Sequence, residues 1–412
     1  MRKELWGAVV FLMAAGALIA AAALISSRKT AGTGSGYVPL EPLRIAVGAD
    51  VHALAPTLTD DGAYFRQVVT NADGKLTQYS DAITDAFVTQ LLCEAPDVLI
   101  LPGDLTFNGA RESHAALAEQ LRRLSDAGVR VLVLPGNHDL NNPMAARFAG
   151  DGFERVDSLT SEEFAALYAP FGYADALSRD DASLSYAAAL APGLRALLID
   201  TNTPDAPGKV LPETLRWAEA ALEDAREAGD RVLCVTHQTI LQHNSVFSDG
   251  FVIEGREALS TLLQRYGVPC SLCGHMHIQH IKTLGSLTEI AGSALSVWPC
   301  QYGVLELTQD GGSYRTERVQ IPDVPDFDTA AESFFLENTL RQGSASADDP
   351  ALLDYLCAMN RGYYSGRMDE TVREEALLAA WEEADPFIGA YLRSLAEDAG
   401  KDFTKTEFSF DP

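Results

Sequence analysis

VRVLVLPGNHD, from Val129 to Asp139, decides the fold. A continuous apolar run stops at Pro135-Gly136 and is followed at once by Asn137-His138-Asp139. Two upstream stretches repeat this design: DVLILPGD, Asp97 to Asp104, and LRIAVGADVH, Leu43 to His52. Each reads as a strand buried on both faces that delivers polar groups at its C-terminal end. Between them, Tyr79 to Cys93 and Ala110 to Ala127 carry helical periodicity, the second with Leu117, Leu121 and Leu124 on one stripe and Gly128 at a C-cap position. This β-α-β-α-β rhythm predicts a parallel sheet covered by helices.

Downstream, a polar excursion from Asn141 to Arg179 is expected to be partly helical around Ser161 to Tyr168. Strands are expected at Leu184 to Ala188, Leu194 to Ile199, Arg231 to Val235 and Val268 to Cys273. Helices are expected at Pro212 to Ala228 and Glu257 to Tyr266. Four antiparallel strands should follow, at His280–Leu284, Leu287–Ile290, Gly303–Leu307 and Tyr314–Val319. Parallel strands first and antiparallel ones later fit a two-layered β core flanked by helices. The prolines at 322 and 325 mark a boundary, and Ala331 to Pro412 reads as an acidic helical cap with a loop at Ser344 to Pro350. The division is thus 1–29, an apolar N-terminal segment; 30–42, a linker; 43–322, the main domain; and 323–412, a C-terminal helical extension.

The strand ends concentrate oxygen and imidazole ligands: Asp50, His52, Asp104, Asn137, His237, His275 and His277. Such a set suits two divalent ions side by side, and two such ions suggest phosphoester hydrolysis. Asp104, alone at its strand end after a glycine, is the natural bridging carboxylate. Asp50 and His52, and likewise His275 and His277, lie two residues apart, so an extended backbone would place each pair on one face. With no thiolate among the ligands, Mn, Fe or Zn is favoured. His114 is expected on the surface of its helix. His243, Asn244 and His280 are candidates for substrate contact or for a place near the site.

These five blocks, in this order, resemble the calcineurin-like metallophosphoesterase family over about Leu43 to Val319. The resemblance implies a four-layer α/β/β/α sandwich. One ion would be held by Asp50, His52, Asp104 and His277, and the other by Asp104, Asn137, His237 and His275. A bridging hydroxide would be the nucleophile. His138 would face the phosphate and Asp139 would orient it, so these two are the catalytic assignments. Ser/Thr phosphatases of the superfamily carry an arginine where Asn108 stands here, and an asparagine cannot form that bidentate clamp. GDLTFNG, Gly103 to Gly109, is similar to the cyclic-nucleotide phosphodiesterase branch. Gln238 departs from that branch, which often has a second histidine there. The expectation is phosphodiester hydrolysis; a phosphomonoesterase acting on small extracellular substrates and a non-catalytic scaffold are the alternatives.

The net charge of −27 over 412 residues disfavours nucleic-acid polymers as partners. The expected partner is a small phosphoester or a lipid head group. Leu5 to Ser27 is an uncharged run long enough to span a bilayer. It predicts a membrane-anchored, single-pass chain with its main domain outside the cytoplasm; secretion after signal cleavage is the alternative. The six cysteines form no disulfide framework by spacing, so buried free thiols are expected.

Overall fold

The computed structural model describes residues Tyr37–Phe410. The expected membrane segment, residues 1–29, lies outside the described residues, as does most of the linker. Among the described residues, no helix is long and apolar enough to cross a membrane.

The chain has a mixed α/β fold. In chain order the elements that position the site are β1 (Leu43–Val47), α1 (Ser80–Glu94), β2 (Val98–Pro102), α2 (Arg111–Asp126), β3 (Arg130–Leu134), β4 (Tyr186–Ala191) and β5 (Leu194–Ile199). Then come α3 (Pro212–Ala228), β6 (Arg231–Thr236), α4 (Arg256–Arg265), β7 (Cys270–Cys273), β8 (His280–Leu284), β9 (Leu287–Ala291), β10 (Gln301–Leu307) and β11 (Gly311–Arg318). The C-terminal region adds α5 (Phe327–Gly343), α6 (Pro350–Ser365), α7 (Glu375–Ala384), α8 (Pro386–Ala396) and β12 (Lys405–Ser409).

One sheet has the order β12-β11-β10-β1-β2-β3, and the other has β8-β9-β7-β6-β5-β4 plus a short edge strand at Ser178–Arg179. β1, β2 and β3 pair in parallel, with Val47 opposite Ile100 and Pro102 opposite Leu134. β5, β6, β7 and β9 also pair in parallel. Their C-terminal ends therefore lie together on one side of each sheet.

Period-2 alternation shows how the second sheet is buried on both faces. Leu194, Ala196 and Leu198 of β5, with Leu233 and Val235 of β6, join the large core that also holds β1–β3, α1 and α2. Leu197 and Ile199, with Val232 and Cys234, join a second core with Ala218, Leu222 and Ala225 of α3 and Leu259 and Leu263 of α4. Pro212 opens α3, and Gly229 closes it in a left-handed conformation. Thr160 and Glu163 form a reciprocal capping box on the short helix Ser161–Leu167.

Several expectations are corrected. The C-terminal region is not purely helical: β12 returns to pair antiparallel with β11, Gly311 opposite Ser409, and extends the first sheet. One compact unit runs from Pro39 onward across the proline-marked stretch at 321–325. The cysteines are all free, but Cys93 is exposed on α1 and not buried. His114 is completely buried, with Nδ1 3.0 Å from the Tyr168 hydroxyl and Nε2 3.1 Å from the Asp139 carbonyl. It continues the Leu117–Leu121–Leu124 stripe one step toward the N-terminus of α2, which is why it faces inward.

Candidate metal centre

Every strand that carries a motif stops short of its ligands. Asp50 and His52 lie beyond β1, Asp104 beyond β2, His237 beyond β6, and His275 and His277 beyond β7. Asp50, His52, Asp104, His275 and His277 all adopt left-handed backbone, with φ of 51°, 46°, 48°, 69° and 58°. The extended-strand reason for pairing Asp50 with His52 and His275 with His277 therefore fails, because the backbone there is left-handed; Asp50 and His52 still fall in one cluster, whereas His275 and His277 part. The side chains converge by turning and not by alternation. Left-handed backbone is costly for residues with a Cβ and collects where function demands a particular direction.

Two clusters result, and they share Asp104: Asp50, His52, Asp104 and His277 in one, and Asp104, His237 and His275 in the other. Asp104 aims one carboxylate oxygen at each, Oδ2 at His52 Nε2 (3.6 Å) and Oδ1 at His237 Nε2 (3.4 Å). Asn137 adds its Oδ1, 3.0 Å from His237 Nε2. His52 and His277 face each other through Nε2 at 3.1 Å, and His275 Nδ1 lies 3.2 Å from His237 Nε2. Lone pairs pointed at one another with few protons between them are a poor hydrogen-bond network and a good cation site.

Second contacts fix the rings. His237 Nδ1 donates to the Pro102 carbonyl (2.9 Å) and His275 Nε2 to that of Gly250 (2.8 Å), which leaves the opposite nitrogen of each for a metal. His52 lacks such a partner, since its Nδ1 is buried with none among the described residues. Asp50 accepts the His275 backbone N–H at 2.9 Å, so a ligand after β1 is tied to one after β7.

Burial pulls His52 and His277 well below the ordinary imidazole range, with Lys75 adding to the effect. Burial also takes His275 down to about 4. All three are thus neutral, the form that binds metal. Burial pushes Asp50 up to about 7 against the pull of His237. Burial alone would raise Asp104, but His237, His138 and His52 hold it well below the carboxylate range. Burial works against charge on His237 too, yet Asp104 and Asp50 lift it to about 9.

His138 stands beside the clusters with its side chain 32% exposed and Nε2 3.9 Å from Asp104 Oδ2. Its Nδ1 donates to the Phe107 carbonyl at 2.7 Å. This corrects the role assigned to Asp139. That carboxylate is buried and accepts from Leu105 N (3.0 Å), Thr106 N (2.9 Å), Thr106 Oγ1 (2.9 Å) and Gly136 N (2.8 Å). Asp139 therefore knits the turn after β2 to the turn after β3, while Phe107 orients His138. His243 and His280 are also placed elsewhere. They face each other at 2.8 Å, and His243 Nε2 lies 3.1 Å from Glu289 of β9, in a neighbourhood separate from the metal ligands. Asn244 does not line the cavity at the metal centre.

That cavity, of about 450 Å³, is bounded on one side by Asp104, Asn137, His138, His275 and His277, and on the other by the C-terminal helices. An aromatic wall leads away from the centre: His275 to Phe251 (5.8 Å between centroids), Phe251 to Phe247 (4.8 Å), then Phe247 to Tyr391 (5.8 Å) and Phe387 (6.3 Å) of α8. A second chamber of about 440 Å³, lined by Tyr64, Phe107, Phe148, Phe153 and Arg155, meets the first at Asp73, Lys75 and His138. Sequence reasoning expected the C-terminal helices but not their place on the wall of this cavity, and it missed Lys75, which belongs to no motif.

The model for calcineurin-like phosphoesterases matches residues 43–279. A protein of Vesicomyosocius okutanii subsp. Calyptogena okutanii (strain HA), named as a probable cyclic nucleotide phosphodiesterase, is 23% identical over 191 residues. The match takes in 46% of this chain, and the chain spans 66% of that relative's length. Among solved structures, a dimetal phosphatase from Danio rerio aligns with 16% identity and a TM-score of 0.49, covering 69% of this chain and 98% of that one. GAP50, the anchor in the inner membrane complex of Plasmodium, aligns with 13% identity and a TM-score of 0.36, covering 71% and 94%. With the family match spanning more than half of the sequence, the chain belongs to the calcineurin-like phosphoesterases, a family of dimetal-dependent enzymes.

Proposed function

We propose that this chain hydrolyses small organic phosphodiesters at a dinuclear metal centre. The observation that carries the reading is the pair of ligand clusters sharing Asp104, with the accessible His138 beside them. When bound, two divalent ions supply Lewis acidity and a water of lowered pKa. The chain's own groups do the rest. Asp104 and Asn137 fix where the ions sit relative to His138. Phe107 holds the His138 Nδ1 proton, so Nε2 is the atom presented to the substrate. A proton on Nε2 can pass to the departing alkoxide, help worth about 10²–10⁴ in rate.

Three features favour diesters. A diester carries two organic groups, and two chambers meet at His138. Asn108, where a phosphatase arginine would stand, turns its amide toward the Met144 and Ala146 carbonyls (3.3 and 3.4 Å). The relative named as a cyclic nucleotide phosphodiesterase belongs to the diesterase class. The thiolate-free ligand set favours Mn, Fe or Zn. The Leu5–Ser27 run supports a membrane-anchored enzyme acting outside the cytoplasm, on extracellular nucleotides, head groups or wall-linked diesters. A reporter fused to the C-terminus and found active only in the cytoplasm would refute that placement.

The test is steady-state hydrolysis of bis-p-nitrophenyl phosphate and p-nitrophenyl phosphate by the full chain in mild detergent with Mn, Fe or Zn added. The diester should give the higher kcat/KM. Asp104→Asn should abolish turnover, and His138→Ala should lower kcat by about 10²–10⁴. A higher kcat/KM on the monoester would replace the diesterase reading with a phosphomonoesterase one. Full activity in Asp104→Asn would remove the mechanism.

A further inference from the structure

Lys75 is a buried lysine without a counter-ion at the junction of the two chambers. It is only 7% exposed, and among the described residues its ammonium makes no hydrogen bond or ion pair. Lysine is almost never buried this deeply unless paired. Its backbone is held firmly. The Lys75 N–H donates to Ala72 O (2.9 Å), Lys75 bridges Val297, and the next residue, Leu76, donates to Ser296 O (2.7 Å). The Ser296 hydroxyl in turn donates to the Asp50 carbonyl at 3.0 Å, so the lysine loop and the first metal cluster are fixed to the same residue.

Its surroundings favour an anion. Lys75 is the only lysine or arginine among the described residues lining the chamber beside the metal ligands. Its charge reaches that cluster, pushing Asp50, His52 and His277 all downward. Asp73 lines the same chamber but is not within ion-pair distance. Arg155 lines only the other chamber, where it lies over the Phe153 ring. Filling the centre with two divalent ions would place further positive charge near an already unpaired ammonium. An anion sitting between them would relieve both at once.

We propose that the Lys75 ammonium binds a non-bridging oxygen of the substrate phosphoryl group, so that the phosphoryl is held between the metal pair and this lysine. The inference rests on the phosphoester reading above and names the cation that serves this chain where Asn108 replaces an arginine. Lys75 is then a binding residue that touches the substrate, and its charge is used at the phosphoryl end, whatever the ester groups are.

The test uses the full chain in detergent, loaded with Mn, with inorganic phosphate as the probe in isothermal titration. Lys75→Met keeps the length and removes the charge; Lys75→Arg keeps the charge. A charge-assisted hydrogen bond corresponds to a loss of roughly 10- to 100-fold in phosphate affinity for Lys75→Met. Lys75→Arg should recover most of that loss. Metal content should be unchanged in both, and the Tm of Lys75→Met should equal or exceed that of the parent, since no hydrogen bond or ion pair has been removed. Unchanged phosphate affinity in Lys75→Met overturns the proposal. So does a loss accompanied by a lowered Tm and not recovered by Lys75→Arg, because that marks a structural lysine. Failure of the parent chain to hydrolyse any phosphoester while it still binds phosphate through Lys75 refutes the function reading and leaves this one standing.

Discussion

Gly136→Ala should break the metal centre without touching a ligand. A Cβ built on Gly136 would lie 2.2 Å from both the backbone nitrogen and Oδ1 of Asp104. Contacts under 3.0 Å are essentially never made by real Cβ atoms, so the Asp104 turn or the Gly136 turn must retreat by about 0.8 Å. Asp104 Oδ1 is the oxygen that accepts the His138 N–H at 2.9 Å and faces His237 Nε2 at 3.4 Å. Metal–ligand distances tolerate roughly 0.2 Å, so the displacement is about four times what shared coordination allows. A misplacement of about 1 Å can cost about 10²-fold in rate, and the overpacking itself about 1–3 kcal/mol in stability. The assay pairs metal analysis with bis-p-nitrophenyl phosphate turnover and thermal unfolding. Gly152→Ala is the control, since nothing lies within 4 Å of its Cβ. A Gly136→Ala protein that holds two ions per chain and turns over at the parent rate would refute the reasoning.

Asp139→Asn should lower stability by about 2–4 kcal/mol in denaturant unfolding, because one amide oxygen cannot serve four buried donors. The folded fraction should keep the parent's pH–rate profile, as Phe107 and not Asp139 holds His138; a shifted profile would contradict this. Metal affinity should rise with pH. Below about 9 the metal-free site holds a proton on His237, and below about 7 another on Asp50, and each must leave before the ion binds. Titration calorimetry should therefore show affinity gaining about tenfold per unit between pH 7 and 9, and about a hundredfold per unit from pH 5.5 to 7. A flat profile would count against these assignments. Phe387, 59% exposed at the end of the aromatic wall, can be cut to Ala with little effect on folding. Phe387→Ala should raise KM for aryl phosphodiesters by about 2- to 10-fold while leaving inorganic phosphate inhibition unchanged.

The sequence made the ligands visible because each block follows a short, mainly apolar run bounded by turn residues, the pattern of a strand buried on both faces. The same logic misjudged how those ligands point. Asp50 and His52 were paired by strand alternation, but they sit past the end of β1 in left-handed turns, a conformation that no periodicity encodes. His114 was legible and misread: counting back three from Leu117 puts it on the buried stripe of α2. The family resemblance implied that Asp139 orients His138, whereas its partners come from the Leu105–Thr106 turn 33 and 34 residues away and from Gly136. Lys75 and the aromatic wall of Phe247, Phe251, Phe387 and Tyr391 could not be read, because their meaning depends on which surfaces meet across the fold.

The motif glycines join these points into one argument about assembly. Gly103 would drive a Cβ to 2.6 Å from the His237 ring, Gly136 to 2.2 Å from Asp104, and Gly274 to 2.5 Å from the Asp50 carboxylate. In each case the missing side chain makes room for a ligand that arrives on another strand, and for Gly103 and Gly274 that ligand comes from the other sheet. Two backbone hydrogen bonds follow the same plan: His275 N reaches Asp50 at 2.9 Å, and Gly274 N reaches the His237 carbonyl at 3.0 Å. The glycine before Asp104, Asn137 and His275 is therefore less a mark of a flexible turn than of a ligand packed against bare backbone. The left-handed turns at Asp50, His52, Asp104, His275 and His277 each cost on the order of 1 kcal/mol, and only cross-strand and cross-sheet contacts of this kind are available to offset that cost before any ion binds. The metal centre is thus a property of how the two sheets dock, which explains why its ligands can be scattered over 228 positions, from Asp50 to His277, and still meet within 4.8 Å in each cluster.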